Sequence, residues 1–163
     1  MRIRKIQVVC DLDESPFIFA EAYGTYASEP GPDDRTIDRE ARGNMGRSEC
    51  RYFVAVLSEE ETGHPGSVEQ DYQRMEALNR GEWCFECIEA KAVIEIDLPD
   101  NINSPYFLRI SSLGVSGIES DCDSDDKWEL IQDELAYLKN VLEAMNVDMG
   151  NFDVLTQAAL NSM

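Results

Sequence analysis

A single apolar stripe near the C-terminus limits the fold more than any other feature. Over about residues 125–145, apolar side chains fall at Trp128, Ile131, Leu135, Leu138, Leu142 and Met145, in alternating steps of three and four. That spacing sets them on one face of an α-helix, and Leu130, Tyr137 and Val141 widen the face. A helix with one apolar side needs a second layer to cover it. Residues 83–97 supply one: Ile88, Ala90, Ala92, Ile94 and Ile96 alternate with Glu89, Lys91, Glu95 and Asp97. Alternation of period two predicts a strand with one buried face.

The remaining chain yields shorter signals. Residues 3–10 read as a strand, with Ile6, Val8 and Cys10 inward and Lys5 and Gln7 outward. A second apolar patch covers residues 16–20. Residues 21–48 lose periodicity and carry Gly24, Pro30, Gly31, Pro32, Gly43 and Gly46. A long irregular segment is expected there, with one short helix at residues 34–42. Residues 51–57 read as a buried strand or the tail of that loop, and residues 59–66 as a charged turn. Ser67 and Gln70 have capping-box spacing ahead of a helix that buries Val68, Tyr72, Met75 and Leu78 and stops at Gly81. Pro99-Asp100-Asn101 is turn chemistry, and residues 106–112 read as the returning strand of a hairpin. A bend at Gly114 and Gly117 follows, and a short helix over residues 152–160 closes the chain. The expectation is one α+β domain spanning 1–163, a small antiparallel sheet packed by one capped helix and the long amphipathic C-terminal helix.

At 163 residues with 43% hydrophobic and 29% charged side chains, the composition is that of a globular chain long enough to bury a core. No apolar run approaches the roughly 18 residues of a membrane span. The apolar run Val8-Val9-Cys10 is too short for a signal peptide, so a cytoplasmic location in the host cell, away from membranes, is expected. Five cysteines, odd in number and unevenly spaced, fit free thiols.

Charge is the loudest compositional signal. Acidic against basic residues number 10 to 7 in residues 1–50, 12 to 4 in 51–100 and 11 to 3 in 101–163, for a net charge of −19. Such a field repels nucleic acid and anionic membrane and attracts basic surfaces.

Motifs for chemistry are sparse. Asp11-Leu12-Asp13-Glu14 after the first strand resembles the opening motif of haloacid-dehalogenase-type phosphatases, whose first Asp is the nucleophile and second the general acid/base. Asp125 and Asp126 would have to complete a Mg²⁺ site. The family's glycine is replaced by Glu14, and the alternating βαβ elements are missing. Residues 121–126 place carboxylates at positions 1, 3 and 5 of a calcium loop, but Asp126 and Gln132 stand where an EF-hand needs Gly and Glu. Cap and helix-dipole chemistry explains these residues better, with Ser124 or Asp123 as N-cap and Asp125, Asp126 and Glu129 in the positive first turns. Cys84 and Cys87 have zinc-ligand spacing without a second pair, and His64 is the single histidine. No metal and no cofactor are expected.

Three stretches carry a family resemblance: Thr36-Ile-Asp-Arg-Glu-Ala-Arg-Gly43 with Arg51-Tyr-Phe53; Gln70-Asp-Tyr-Gln-Arg-Met-Glu-Ala-Leu-Asn-Arg-Gly-Glu-Trp-Cys84; and Gly117-Ile-Glu-Ser-Asp121 before the leucine-rich helix. Over roughly residues 10–145 the chain resembles a group of small acidic proteins carried by phages and prophages. In that group the bend before Gly-Ile-Glu-Ser-Asp carries another glycine and a Trp, where this chain has Leu113 and Ser116. The resemblance implies a mobile-element setting and contributes no catalytic residue.

The function expected on these grounds is non-enzymatic: an acidic interaction protein that inhibits a basic, nucleic-acid-handling host protein, in the manner of DNA-mimicking anti-restriction or anti-CRISPR proteins. The densest run lies between Glu119 and Glu134, with eight acidic residues and one Lys. Glu119, Asp121, Asp123, Asp125, Asp126, Glu129, Asp133 and Glu134 are the candidate binding residues. Carboxylates at helical i, i+3 and i+4 positions lie about 5–6 Å apart, on the scale of backbone phosphates. Alternatives are a binding or assembly module whose charge serves only solubility, a homodimer included, and remotely a Mg²⁺-dependent phosphatase using Asp11 and Asp13.

Overall fold

The computed structural model describes residues 1–13, 19–39, 50–96 and 105–163. In chain order its strands are β1 (Arg2–Leu12), β2 (Gly24–Ala27), β3 (Thr36–Asp38), β4 (Tyr52–Ala55), β5 (Phe85–Ile96), β6 (Tyr106–Ser111) and β7 (Val115–Glu119). Its helices are α1 (Glu59–Thr62), α2 (Ser67–Asn79), α3 (Ser124–Ala144) and α4 (Phe152–Leu160), with a 3₁₀ turn at Asp33–Arg35. The fold class is α+β. Two compact units form, one from Met1–Asp13 with Phe85–Met163 and the other from Glu14–Cys84.

The first unit is an antiparallel sheet with two helices on one face. β5 is its central strand, pairing β1 along one side and β6 and then β7 along the other. The core-facing residues Ile88, Ala90, Ala92 and Ile94 are buried, as the alternation of β5 requires, and they lie against Ile131, Leu135, Leu138 and Leu142 of α3. On β1 the inward residues are Ile3 and Ile6, three apart, because the register with β5 shifts between Ile3 and Lys5. The extra residue, Arg4, is a β-bulge that lets an odd spacing face one side. Val8 and Cys10 are partly buried and pack against the same core. Of the bend expected at Gly114 and Gly117, Gly114 lies in the link between β6 and β7 at φ 77, whereas Gly117 falls within β7, which pairs the first residues of β5.

Helix α3 starts where the Asp123 carboxylate accepts the Asp125 N–H at 2.8 Å. It ends in a Schellman arrangement: Asn146, at φ 56, donates to the Glu143 carbonyl, and Val147 donates to that of Leu142. Its buried stripe differs from the expected one at the first turn. Trp128 is 49% exposed. Lys127, one position earlier, points inward and pairs with Glu86, the first core-facing residue of β5. The stripe therefore steps by four from Lys127 to Ile131, since the strand beneath offers a carboxylate there and no apolar contact. Helix α4 packs along β1, with Phe152 and Ala159 buried, and Asn151 donates to the Ile3 carbonyl at 3.0 Å.

The second unit corrects the reading of residues 21–48 as irregular. β2 and β3 lie in that segment and pair the two edges of β4 in a three-stranded antiparallel sheet. Over its described part, 34–39, the helix expected at 34–42 is replaced by the 3₁₀ turn and β3; residues 40–49 lie outside the described residues, as do 16–18 of the apolar patch and the turn at 99–101. Phe53 of β4 is fully buried between the rings of Tyr26 and Tyr72, with centroids 5.7 and 5.6 Å away. Gly24, paired with Ala55, is required beside it, since a Cβ there would come within 2.5 Å of the Phe53 ring and of the Val54 carbonyl oxygen.

The charged turn at 59–66 contains α1, and the capping box belongs to it. Ser58 Oγ accepts from the Glu61 N–H, and the Glu61 carboxylate accepts from the Ser58 N–H. The box expected at Ser67 and Gln70 does not form: Gly66 occupies the N-cap of α2, and Ser67 bonds the Thr62 hydroxyl at 2.8 Å. Gly81, at φ 71, stops α2 by donating to Leu78 while Glu82 donates to Ala77. Trp83 is buried, donates its indole N–H to the Arg74 carbonyl and lies under the Arg74 guanidinium, 3.8 Å from the ring centroid.

Candidate functional site

The eight candidate carboxylates separate into three settings. Glu119 ends β7 and is half-buried; burial first, and the charge of Asp121 second, push its carboxyl above the ordinary range. Glu134 is half-buried too, and its Oε2 accepts the Gly114 N–H at 3.0 Å, which pins the link between β6 and β7 to α3. These two carboxylates serve the fold. Asp121 and Asp123 are exposed in the turn before α3, where Asp123 is the N-cap. Asp125, Asp126, Glu129 and Asp133 are exposed on α3 itself.

On α3 the carboxylates form a row. Asp125, Glu129 and Asp133 succeed one another at i, i+4 and i+8, so their Cα atoms climb the helix in steps of about 6 Å. None of the three makes an ion pair among the described residues. The two cations of the helix are turned elsewhere. Lys127 is held by Glu86, whose hydrogen bond raises the lysine above its ordinary value. Lys139 lies 3.8 Å from Asp153 and 5.3 Å from the centroid of the Phe152 ring. The outer face of α3 is thus left with carboxylates that nothing on the helix neutralises.

Two aromatics of α3 that the apolar spacing assigns to the core are exposed. Trp128 is 49% exposed, three residues after Asp125 and next to Glu129, and Tyr137, 41% exposed, continues the Asp125 row four residues beyond Asp133. Only the pairing of Lys127 with Glu86 would have identified Trp128 as outward, and that pairing depends on long-range register.

The other motifs do not converge on chemistry. Asp13 accepts the Gly117 N–H at 3.2 Å, while Asp11 sits opposite Cys87, on the sheet face turned away from α3. Asp125 and Asp126 are on the helical side, so these four carboxylates do not meet. Cys84 precedes β5 and Cys87 lies within it, both half-buried. No group of three or more His, Cys, Asp or Glu side chains among the described residues could hold a metal ion. No described helix is long and apolar enough to cross a membrane. In the second unit a polar cavity of about 330 Å³ is bordered by Asp38, Arg39, Glu76 and Arg80. Its charges are matched, Arg39 by Glu76 at 3.5 Å within the cavity lining, and Asp38 and Arg80 by Arg51 and Glu82 beyond it. Comparison with known proteins found no matching family model, curated protein or solved structure.

Proposed function

We propose that this protein is an acidic binding protein that occupies a basic, nucleic-acid-handling surface of another protein through the outer face of α3. The observation that carries the reading is the unneutralised row Asp125, Glu129 and Asp133, flanked by Asp126, on a helix whose own lysines are committed to Glu86 and Asp153. Carboxylates at about 6 Å intervals on a rigid helix offer a basic groove a charge spacing close to that of a phosphate backbone. A rigid array is also pre-ordered, so little conformational entropy is lost when it binds. The mobile-element setting implied by the sequence resemblance favours an inhibitory role, with a host defence nuclease or its DNA-binding subunit as the class of target.

The test is affinity capture from a bacterial lysate followed by titration of the captured protein at about 50 and 300 mM salt, where screening differs about 2.5-fold in Debye length. Single neutralisations such as Asp133→Asn are expected to matter little, since an exposed pair contributes about 0.2–1 kcal/mol. Joint replacement of Asp125, Asp126 and Asp133 by Asn and Glu129 by Gln is expected to weaken binding about tenfold or more, as 1.4 kcal/mol is one decade. Affinity indifferent to salt and to all four replacements would refute the reading.

A further inference from the structure

The face of the first unit's sheet that α3 and α4 leave uncovered has the opposite character. The register of β1, β5 and β6 arranges its side chains in cross-strand rows: Arg2, Glu95 and Phe107; Lys5, Val93 and Arg109; Gln7, Lys91 and Ser111. Its carboxylates are neutralised locally, Glu95 by Arg2 and Arg4 and Glu89 by Lys91 at 2.8 Å. Asp11 lies on the same face six residues beyond Lys5, about 20 Å along the strand. Lys5 and Arg109 have no ion pair, hydrogen bond or ring contact among the described residues, whereas every other described Lys and Arg has at least one such interaction. In a chain with 33 acidic and 14 basic residues, the two cations left uncommitted among the described residues therefore stand in one row, on either side of Val93.

We propose that this open sheet face docks the outer face of α3 from a second copy of the chain. The occupant follows from charge and dimension. Two strand spacings separate Lys5 from Arg109, about 10 Å. Asp125, Glu129 and Asp133 span about 12 Å along the helix, within reach of the long basic side chains. Each surface also carries exposed aromatic area beside its charges, Phe107 on the sheet and Trp128 on the helix. Within one chain the two rows lie on opposite sides of the sheet and cannot meet, so the contact joins separate molecules. It is heterologous, helix face to sheet face, so a pair of molecules keeps one free surface of each kind and can grow further. Charges elsewhere on the two copies repel, but at about 0.15 M salt this is screened beyond about 8 Å, whereas the contacting pairs are closer.

The experiment uses the full chain alone, in sedimentation velocity and light scattering from about 10 to 300 µM at about 0.15 M salt, where mass action reveals weak association. The wild-type mass is expected to rise with concentration. Lys5→Glu with Arg109→Glu, and separately Asp125→Lys with Glu129→Lys and Asp133→Lys, are each expected to remain monomeric. Mixed in equal amounts they are expected to associate, because the acidic helix face of one meets the basic sheet face of the other and the two reversed faces are complementary as well. The milder Lys5→Gln with Arg109→Gln is expected to weaken association about tenfold, and circular dichroism verifies that each variant is folded. A wild type that stays monomeric throughout, a sheet-face variant that associates like wild type, or a mixture that stays monomeric overturns the proposal. The sheet-face variant keeps its carboxylate row intact, so capture of a basic partner tests the proposed function separately.

Discussion

Ser112 closes both hydrogen bonds of Ala90: its N–H donates to the Ala90 carbonyl at 2.8 Å, and its Oγ accepts the Ala90 N–H at 2.9 Å. The exchange falls between two ladders. β6 pairs β5 from Lys91 to Ile96, and β7 pairs it from Phe85 to Ile88. Where the chain leaves one ladder for the other, a side-chain oxygen replaces the missing backbone acceptor, and central β5 keeps no buried N–H unpaired at that step. Ser112 is buried for this reason although it is polar.

Ser112→Ala is accordingly expected to destabilise the protein by about 1–3 kcal/mol, the cost of a buried donor left without a partner. Ser112→Thr, which retains the hydroxyl, is expected to lose less. Urea denaturation measures both. A loss below about 0.5 kcal/mol for the alanine variant would mean that another acceptor reaches Ala90.

The Tyr26 hydroxyl donates to Glu76 at 2.8 Å and accepts from the Asn79 side chain at 2.8 Å, with the buried Arg39 guanidinium 4.3 Å from its ring centroid. Burial, and then the hydrogen bond to Glu76 and that residue's charge, push the phenol well above its ordinary value; Arg39 offsets this in part. The folded state therefore favours the neutral phenol. Its contribution to stability is fully present below the unfolded value of about 10 and is lost as pH rises through the folded value. Spectrophotometric titration is expected to show Tyr26→Phe and wild type with the same phenolate absorbance up to about pH 11. If the variant lacks a tyrosine that titrates near 10, the hydrogen-bonded arrangement is wrong.

The long periodic elements were legible in the sequence because burial of one face dictated their pattern. β5, the β6 return and the body of α3 are of this kind. What the pattern could not supply was set by distant residues. Steps of three and four both keep a helical face, so Trp128 and Lys127 were equally placed to begin the stripe until Glu86 decided for Lys127. The bulge at Arg4 broke the period of two between Ile3 and Ile6. β2 and β3 have four and three residues, too few for alternation to emerge from a segment rich in Gly and Pro. Ser58-Glu-Glu-Glu61 and Ser67-Val-Glu-Gln70 both carry capping-box spacing, and the left-handed Gly66 makes Ser67 a helical residue instead of a cap. The acidic run was visible as composition. Only the contacts of Glu134 and the burial of Glu119 separate structural carboxylates from presented ones.

Leu138 is fully buried at the centre of the α3 stripe. Leu138→Ala is expected to cost about 2–5 kcal/mol, the lost transfer energy together with the cavity left behind. Equilibrium denaturation checks this. A cost below about 1 kcal/mol would show that the stripe is not core.

Trp128 makes the opposite case on the same helix, because its indole is 49% exposed beside the carboxylate row. Trp128→Ala is expected to leave stability within about 0.5 kcal/mol of wild type, as for other surface positions. If α3 is a binding face, the same substitution removes an anchor of the type that dominates interfaces, and partner affinity is expected to fall about tenfold or more. That loss should differ in kind from neutralising the carboxylates. Charge removal lowers the association rate and flattens the salt dependence, whereas loss of the indole raises the dissociation rate and leaves the salt slope unchanged. Fluorescence gives a direct reading. The other tryptophan, Trp83, is buried under Arg74, so a soluble quencher is expected to act mainly on Trp128 and to lose that access when partner binds. Quenching unaltered by a saturating partner, together with unchanged affinity of Trp128→Ala, would remove the outer face of α3 from the interface.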